Sequence, residues 1–580
     1  MNKRKTKIIC TLGPATDNED VLRKLIINGM NVARFNFSHG TYEEHGRRLA
    51  MLRRLCKELN MPVAALMDTK GPEIRTGHFV NKGVNLQEGT KVVISHEDVL
   101  GTAEKFSVSY KDMDKDLKKG DQILIDDGLV GLRVESIEDR DIHCVCTNSG
   151  PVSDYKSINL PEINTNLPAL TEKDVEDLKY AATNDFDFIA ASFIRKAADV
   201  IAIKRILKEY GAAHYEIISK IENREGVRNF NEILAVSDGI MIARGDLGVE
   251  IPVEEVPAVQ KMMVHATYKA GKPCVTATQM LDSMIRNPRP TRAEVTDVAN
   301  AIYDGSSATM LSGETAAGKY PVESLQMMDK VARFTESKID YWKRFEQERH
   351  SELPSVSTAI SHACCTTAMD LNAKAIMTVT MSGRTARAIS RFRPACPIVA
   401  TTVSERVLRN LQLAWGVQAF LVKIANKEDD LFAESIALAE QNGIVTKGDV
   451  VVETCGKPLG LSGTTNSLMV QNVGNILSKG LGYGNHKVTG EIMVLKSTDF
   501  VENLEMPHGT IIVAKRISEK HLPIIRGAAA LVVESQGSED YTKIAGSILD
   551  IPVLVGCENA TKILKNGSIA TLDPDRGIIY

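Results

Sequence analysis

No stretch of this sequence is apolar for long enough to cross a membrane. The N-terminus from Met1 to Lys7 is basic but leads only into a short strand-like run, without the apolar core of a secretory signal. Paired metal-ligand cysteines are also missing. The ten cysteines are scattered, the closest being Cys144/Cys146 and Cys364/Cys365, and none forms a CxxC pair matched by a second pair or a histidine cluster. This argues against structural zinc and for reduced thiols in a cytoplasmic protein. Nor does charge of one sign dominate: 70 Lys and Arg are interspersed with 74 Asp and Glu, for a net −4. The chain therefore has no broad electrostatic footprint for nucleic acid or an anionic membrane, and any phosphate binding must be local. What is present is length: 580 residues exceed what one core supports and imply about three or four domains.

Lys7-Ile8-Ile9-Cys10-Thr11-Leu12 reads as a first strand closed by Gly13-Pro14. Thr16 or Asp17, with Glu19 three residues after Thr16, then offers a helix cap. Val21, Leu22, Leu25 and Ile26 follow as an apolar stripe that ends at Asn28-Gly29. Strands are expected again at 31–37, 62–68, 186–193, 215–221, 238–244, 273–278 and 306–311, alternating with helical patterns such as 197–210 and 256–270. Eight such units close a (β/α)8 TIM barrel, assigned here to 1–69 and 164–345. Between them, 70–163 holds short alternating runs (Lys91 to Ser95, Gln122 to Ile125, Leu132 to Glu135) and an Asp126-Asp127-Gly128 turn. It is expected to form an inserted all-β domain beside the active face, a water-excluding lid or alternatively a spacer or oligomer contact. After a charged helical connection at 333–350, runs at 375–380 and 397–402 open an α/β domain at 351–475. Gly480 to Asn485 reads as a glycine-rich linker, and 486–580 as a further unit.

Polar groups gather where the barrel's apolar runs end. Asp68-Thr69-Lys70-Gly71-Pro72-Glu73-Ile74-Arg75 follows Val63 to Met67, a carboxylate succeeded at once by a Gly/Pro turn and two cations. Lys220 and Glu222 lie two residues apart and share a strand face. They are either an ion pair inside the barrel or a charge stabiliser beside a metal ligand. Glu222 and Asp246 can each give one carboxylate to Mg²⁺, leaving positions for substrate oxygens and water. Ala243-Arg244-Gly245-Asp246-Leu247-Gly248 puts glycine where backbone approaches a ligand closely. A short helix starting there would offer N–H groups to a carboxylate, although a plain capping turn has the same sequence. Arg34 and Arg75 suit phosphate oxygens or ordinary ion pairs. Thr278 is either a buried strand threonine or a hydroxyl that orients a substrate carboxylate or a proton-relay water.

Taken together with Asn31-Val32-Ala33-Arg34-Phe35-Asn36-Phe37-Ser38-His39-Gly40, Ser219-Lys220-Ile221-Glu222-Asn223, Ala277-Thr278-Gln279-Met280-Leu281 and Met310-Leu311-Ser312-Gly313-Glu314-Thr315-Ala316, these segments resemble pyruvate kinase from about the first ten residues to Gly484. The resemblance implies direct phosphoryl transfer from phosphoenolpyruvate to ADP, assisted by Mg²⁺ and K⁺, in a homotetramer. It implies Lys220, Arg34 and Thr278 as catalytic residues, and Arg34, Gly245, Asp246 and Thr278 as substrate contacts. Asn36, Phe37, Ser38, His39, Arg75 and Lys156 correspond to the nucleotide side. Glu222 and Asp246 correspond to Mg²⁺ ligands, and Asn36, Ser38, Asp68 and Thr69 to those of K⁺, with Glu73 at the position associated with K⁺ dependence. Two departures stand out. Lys156-Ser157-Ile158-Asn159-Leu160-Pro161-Glu162 replaces the usual Lys-Gly-Val-Asn-Leu-Pro-Gly, and Ser307 replaces a frequent aspartate.

Thr380-Met381-Ser382-Gly383-Arg384-Thr385 combines hydroxyls with backbone donors at a helix start, which serves as a plain cap or an anion site. The resemblance makes Thr380, Ser382, Gly383, Arg384 and Thr385 the binding loop for a phosphorylated effector, completed by Gly460 to Asn466. The last unit resembles the mobile phosphohistidine domain of phosphoenolpyruvate-utilising enzymes, but within Ser538 to Lys543 Tyr541 stands where the carrier histidine belongs. That argues against a dikinase or synthase with a swinging histidine. A catalytically silent phosphometabolite sensor is the remaining alternative, and the intact strand-end set opposes it.

Overall fold

The computed structural model describes residues 4–347, 355–423, 428–456, 465–474, 476–495, 509–535 and 539–580. Eight parallel strands close a barrel: β1 (Lys7–Thr11), β2 (Val32–Asn36), β3 (Ala64–Asp68), β4 (Phe188–Ala191), β5 (Glu216–Ile221), β6 (Gly239–Ala243), β7 (Cys274–Ala277) and β8 (Ala308–Leu311). Each expected strand run thus contributes one barrel strand. Their residues alternate between two apolar layers, as a period of two requires. Ile9, Val32, Leu66, Ile218, Met241 and Val275 fill the interior. Ile8, Ala33, Ala65, Ile217 and Ile240 pack outward against the helices. A strand buried on both faces carries a continuous apolar run, and this is why these segments could be read from sequence.

The expected helices appear as Ala197–Glu209 and Val256–Lys269. The first helix, Glu19–Ile27, is capped beyond both candidates, by Asn18, whose side chain accepts from the Asp20 N–H at 2.9 Å. Thr16 is already committed to a one-turn 3₁₀ segment, Pro14–Thr16, where its hydroxyl bonds both the N–H and the carbonyl of Gly13.

Between β3 and β4, a seven-stranded sheet runs in the order Ile74–Arg75, Ser157–Asn159, Gln122–Ile125, Val130–Glu138, Asp141–Cys146, Lys91–Ser95 and Lys105–Ser107. The segment has its own apolar core. The chain reverses at Asp126-Asp127-Gly128, all three with positive φ. Beyond the barrel, a five-stranded sheet orders Val417–Leu421, Ile398–Thr402, Ala375–Val379, Val450–Gly456 and Thr465–Asn472, with the last strand antiparallel. This α/β unit docks under the N-terminal ends of the barrel strands. Its Leu413 joins the barrel's interior cluster as a plug, and burying a leucine contributes about 1.5–3 kcal/mol.

The last sheet has eight strands and overturns one expectation. Gly480 to Asn485 is no linker: Leu481–Tyr483 pairs antiparallel with Val553–Val555, and the preceding Ser478–Lys479 pairs with Ile578–Ile579. These two short strands form opposite edges of the same sheet. Gly480 between them lies so close to Val555 that a Cβ would sit 2.4 Å from its carbonyl oxygen. Glycine signalled close backbone packing here rather than freedom. Ser538 lies outside the described residues, as do Gly460 to Thr464.

Candidate active site at the mouth of the barrel

Side chains from the C-terminal ends of β2, β3, β4 and β5 meet around one buried carboxylate. Asp68, fully buried at the end of β3, accepts from Arg34 Nε at 2.6 Å on Oδ2 and from Lys220 Nζ at 3.0 Å on Oδ1. Ser192 Oγ completes the shell, 3.2 Å from Asp68 Oδ1 and 2.7 Å from Lys220 Nζ. Burial alone would raise the Asp68 carboxyl, but the two cations hold it below the usual carboxylate range. Arg34 Nη1 also reaches Thr11 Oγ1 at the end of β1. Ser192 and Thr11 belong to the site although neither was expected there. The signal for Ser192 was present, since it directly follows the apolar run of β4.

Lys220 Nζ lies 2.9 Å from Glu222 Oε1. Burial disfavours the ammonium, but Asp68 and Glu222 outweigh it and keep the group protonated. Glu222 has the opposite problem. Burial, with Asp246 nearby, pushes its carboxyl up to about 7 against the pull of Lys220. Its Oε2 accepts from the Phe193 N–H at 2.6 Å, whereas Oε1 is buried without an aligned hydrogen bond. A buried carboxylate oxygen that has an ion-pair neighbour but no aligned hydrogen bond, beside a second carboxylate, suits a divalent cation, whose charge would relieve both.

β6 runs directly into the helix Arg244–Glu250, which carries Gly245 and Asp246. A Cβ on Gly245 would sit 2.8 Å from Thr278 Cγ2, so only glycine lets this turn pack on Thr278. Thr278 itself has φ of 73° and Gln279 a φ of 54°. Positive φ in a β-branched residue is strained by about 1–3 kcal/mol and persists only where surroundings enforce it. Arg244 supplies that restraint by donating to the carbonyls of Thr278 (2.7 Å) and Ala277 (3.2 Å) while pairing with Asp297 at 2.7 Å. Thr278 is therefore not an ordinary strand threonine.

Asn36 faces Asp68 across the β2–β3 ladder. Its Oδ1 accepts from the Ser38 N–H at 3.1 Å, and Thr69 Oγ1 accepts from the Ser192 N–H at 3.2 Å. Each oxygen retains a lone pair. The ring of Phe37 is buried and stacks on His45 with centroids 4.2 Å apart, which leaves its backbone as the part that can meet a nucleotide. On the inserted sheet, Arg75 pairs across the ladder with Ser157, next to Lys156. Arg75 is held by Glu73 at 2.7 Å and by the Tyr155 carbonyl, and Lys156 by Asp126 at 2.9 Å. Glu162, where the resemblance expects glycine, keeps a glycine-like φ of 64° and is anchored by Arg224 and Arg228. Asn159 Nδ2 donates to Glu250 Oε1 at 2.8 Å, resting the inserted sheet on the Asp246 helix.

The loop after Ala375–Val379 lies apart from this cluster. Gly383, with φ of 78°, caps the helix Arg384–Ser390. Thr380 Oγ1 accepts from the Gly383 N–H at 3.0 Å, and Thr385 Oγ1 bonds Thr465 Oγ1 at 2.8 Å. Both threonine hydroxyls are thus engaged internally, while Arg384 is exposed.

Three family models match the chain: the pyruvate kinase barrel domain at residues 3–325, the pyruvate kinase alpha/beta domain at 358–471, and the mobile domain of PEP-utilising enzymes at 506–577. Full-length relatives include a pyruvate kinase of Geobacillus stearothermophilus, 45% identical over 580 residues, and one of Sporosarcina psychrophila, 46% identical over the same length. Each alignment spans 100% of this chain and 99% of the relative. A solved pyruvate kinase from Cryptosporidium parvum superposes with a TM-score of 0.78 at 40% identity, covering 81% of this chain and 97% of the other. Barrel, strand-end cluster and full-length similarity agree, and the chain belongs to the pyruvate kinase family.

Proposed function

We propose that the cluster at the barrel mouth transfers the phosphoryl group of phosphoenolpyruvate to ADP, giving pyruvate and ATP, the glycolytic reaction of the family. One observation carries this assignment of residues. The ammonium of Lys220 is buried at the end of β5 and fixed between Asp68, Ser192 and Glu222. A transferring phosphoryl group spreads negative charge over its oxygens, so preorganised cations lower its barrel-mouth barrier more than any nucleophile would. Lys220 stabilises that charge, and Arg34 orients the phosphate of phosphoenolpyruvate from the other side of Asp68.

The first N–H groups of the helix carrying Gly245 and Asp246 hold the substrate carboxylate, with Thr278 beside them. Held on a strained backbone, Thr278 would use its hydroxyl to orient that carboxylate or the water that protonates the enolate. Arg75 and Lys156, on the inserted sheet, face the phosphates of ADP with the backbone from Asn36 to His39. The contact between Asn159 and Glu250 links that sheet to the substrate helix, consistent with a lid that excludes water.

The family works with metal ions. Glu222 and Asp246 would hold Mg²⁺, and Asn36, Ser38, Asp68 and Thr69 offer the hard oxygens that suit K⁺. Bound there, the ions would neutralise phosphate charge. The loop from Thr380 to Thr385 would receive a phosphorylated effector through Ser382, Arg384 and backbone N–H groups. The enzyme is read as a cytoplasmic homotetramer; among the described residues no helix is long and apolar enough to cross a membrane.

A lactate-dehydrogenase-coupled assay with phosphoenolpyruvate and ADP, run with and without Mg²⁺ and K⁺, tests the reading. Turnover that requires Mg²⁺ and rises with K⁺ supports it. Absence of turnover in folded protein at saturating substrates and ions would favour the silent sensor instead.

A further inference from the structure

At the opposite end of the barrel, where the α/β unit docks, a small, partly open pocket has an unusual charge balance. It is lined by four cations, Lys272, Arg387, Arg391 and Arg393, against the single carboxylate of Glu216. That carboxylate is already occupied by Arg387 and Asn410. Lys272 and Arg391 donate to backbone carbonyls, which carry no compensating charge.

Arg393 is the most demanding of the four. It is only 4% exposed. One nitrogen, Nη2, donates to the Gly305 carbonyl at 2.9 Å and to Ser307 Oγ at 3.0 Å. The faces of the guanidinium are covered by the rings of Trp415 and Tyr268, with centroids 4.5 and 5.3 Å away. Its Nε and Nη1 are buried without an acceptor. Ring faces attract a cation but do not satisfy in-plane N–H groups, and an uncompensated buried charge is costly. Burial lowers the guanidinium to about 9, a large displacement for a group that normally stays charged. The cavity beside it has room for about one water-sized particle.

We propose that this cavity is an anion site, in which one small inorganic monovalent anion of chloride size accepts from Nε and Nη1 of Arg393 and neutralises the seam between barrel and α/β unit. None of the residues from Thr380 to Thr385 lines this pocket, so the site is distinct from the effector loop. Because Ser307 stands within hydrogen-bond reach of the same guanidinium, it is also where a built-in counter-charge can be tested.

The experiment measures thermal midpoint of the full-length protein at constant ionic strength while sodium chloride replaces sodium gluconate, whose anion is too large to enter. The parent should show a saturable rise of about 2–4 °C. Ser307→Asp should have the raised midpoint in gluconate alone and no further response. Arg393→Met should lose the response. Should that variant not fold, bromide-soaked crystals of the parent and of Ser307→Asp decide. An anomalous peak within hydrogen-bond distance of Arg393 is expected in the first and not in the second. Equal midpoints in the two salts with no peak at Arg393, or an undiminished response in Ser307→Asp, would overturn the proposal.

Discussion

The two ends of the barrel bury charge in contrasting ways. At the C-terminal ends of the strands, Arg34 and Lys220 converge on Asp68, and an oxygen of Glu222 is left without an aligned donor. At the N-terminal ends the charged groups hold another part of the chain. Asp187, just before β4, accepts from Arg409 of the α/β unit at 2.7 Å. Glu216, opening β5, pairs with Arg387, and Lys7, opening β1, donates to the Val417 carbonyl at 2.6 Å. One strand therefore carries both kinds of group: β5 begins with a docking carboxylate and ends with Lys220. The contrast teaches that on this scaffold the buried charges of the mouth gather around one another, while those of the base pair across the seam, Arg393 with its two unmatched nitrogens being the exception.

If the mouth governs rate and the base governs cohesion, substitutions should separate cleanly along those lines. Lys220→Met should have the largest effect on turnover, on the order of 10²-fold or more at saturating substrates, with far-UV circular dichroism retained. Near-parent activity would remove Lys220 from its assigned role. Next, Asp246→Ala should raise the Mg²⁺ concentration for half-maximal activity by at least the roughly 10–100-fold seen when supporting groups of metal sites are lost. A Mg²⁺ titration of initial rates reads this directly.

Ser382→Ala combined with Arg384→Ala should weaken activation by whichever of fructose 1,6-bisphosphate, ribose 5-phosphate or AMP stimulates the parent. Allosteric coupling of roughly 1–3 kcal/mol is at stake, and maximal rate at saturating phosphoenolpyruvate should be spared. Unchanged activation by that compound would move the effector site elsewhere.

At the base the expectation reverses. Arg387→Met should leave maximal turnover within about two-fold, because no group in contact with substrate is touched, yet cost about 3 kcal/mol by stranding Glu216. Thermal unfolding followed beside the coupled assay distinguishes the two. A smaller effect belongs to Lys7, whose ammonium burial lowers to about 7, with Arg4 adding repulsion. The folded state then binds fewer protons than the unfolded chain between about 7 and the ordinary lysine value, so this group's contribution to stability rises with pH across that window. Lys7→Met should show a shallower rise in thermal midpoint from neutral pH to pH ~10 than the parent, with no change in rate.

The barrel was legible because strands buried on both faces are written as unbroken apolar runs, and the site because polar groups follow those runs directly. Asp68, Lys220, Glu222 and Asp246 were singled out in this way, whereas Arg34 lies inside its strand and was assigned by the family resemblance. Ser192 obeys the same rule but was passed over as a small residue without charge. The strain at Thr278 had no sequence signal, since a β-branched residue is the least expected occupant of positive φ. That the Phe37 ring turns into the core was not legible either, because a motif gives chain position and not which face of the backbone turns inward. The helix cap moved from Thr16 to Asn18 for a local reason, since two candidate caps compete and the 3₁₀ turn after Gly13 claimed the first.

The edge strands around Gly480 decide where this chain can be divided. Ser478–Lys479 and Leu481–Tyr483 clasp opposite margins of the last sheet, like the two ends of a strap. A stop codon after Gly484 would leave both strap ends on the catalytic portion, bereft of Ile578–Ile579 and Val553–Val555. The excised remainder would carry two bare margins open to pairing with other chains. A cut after Gly474 instead keeps the strap with the sheet it fastens, so the last module is inherited as a unit that begins before its glycines.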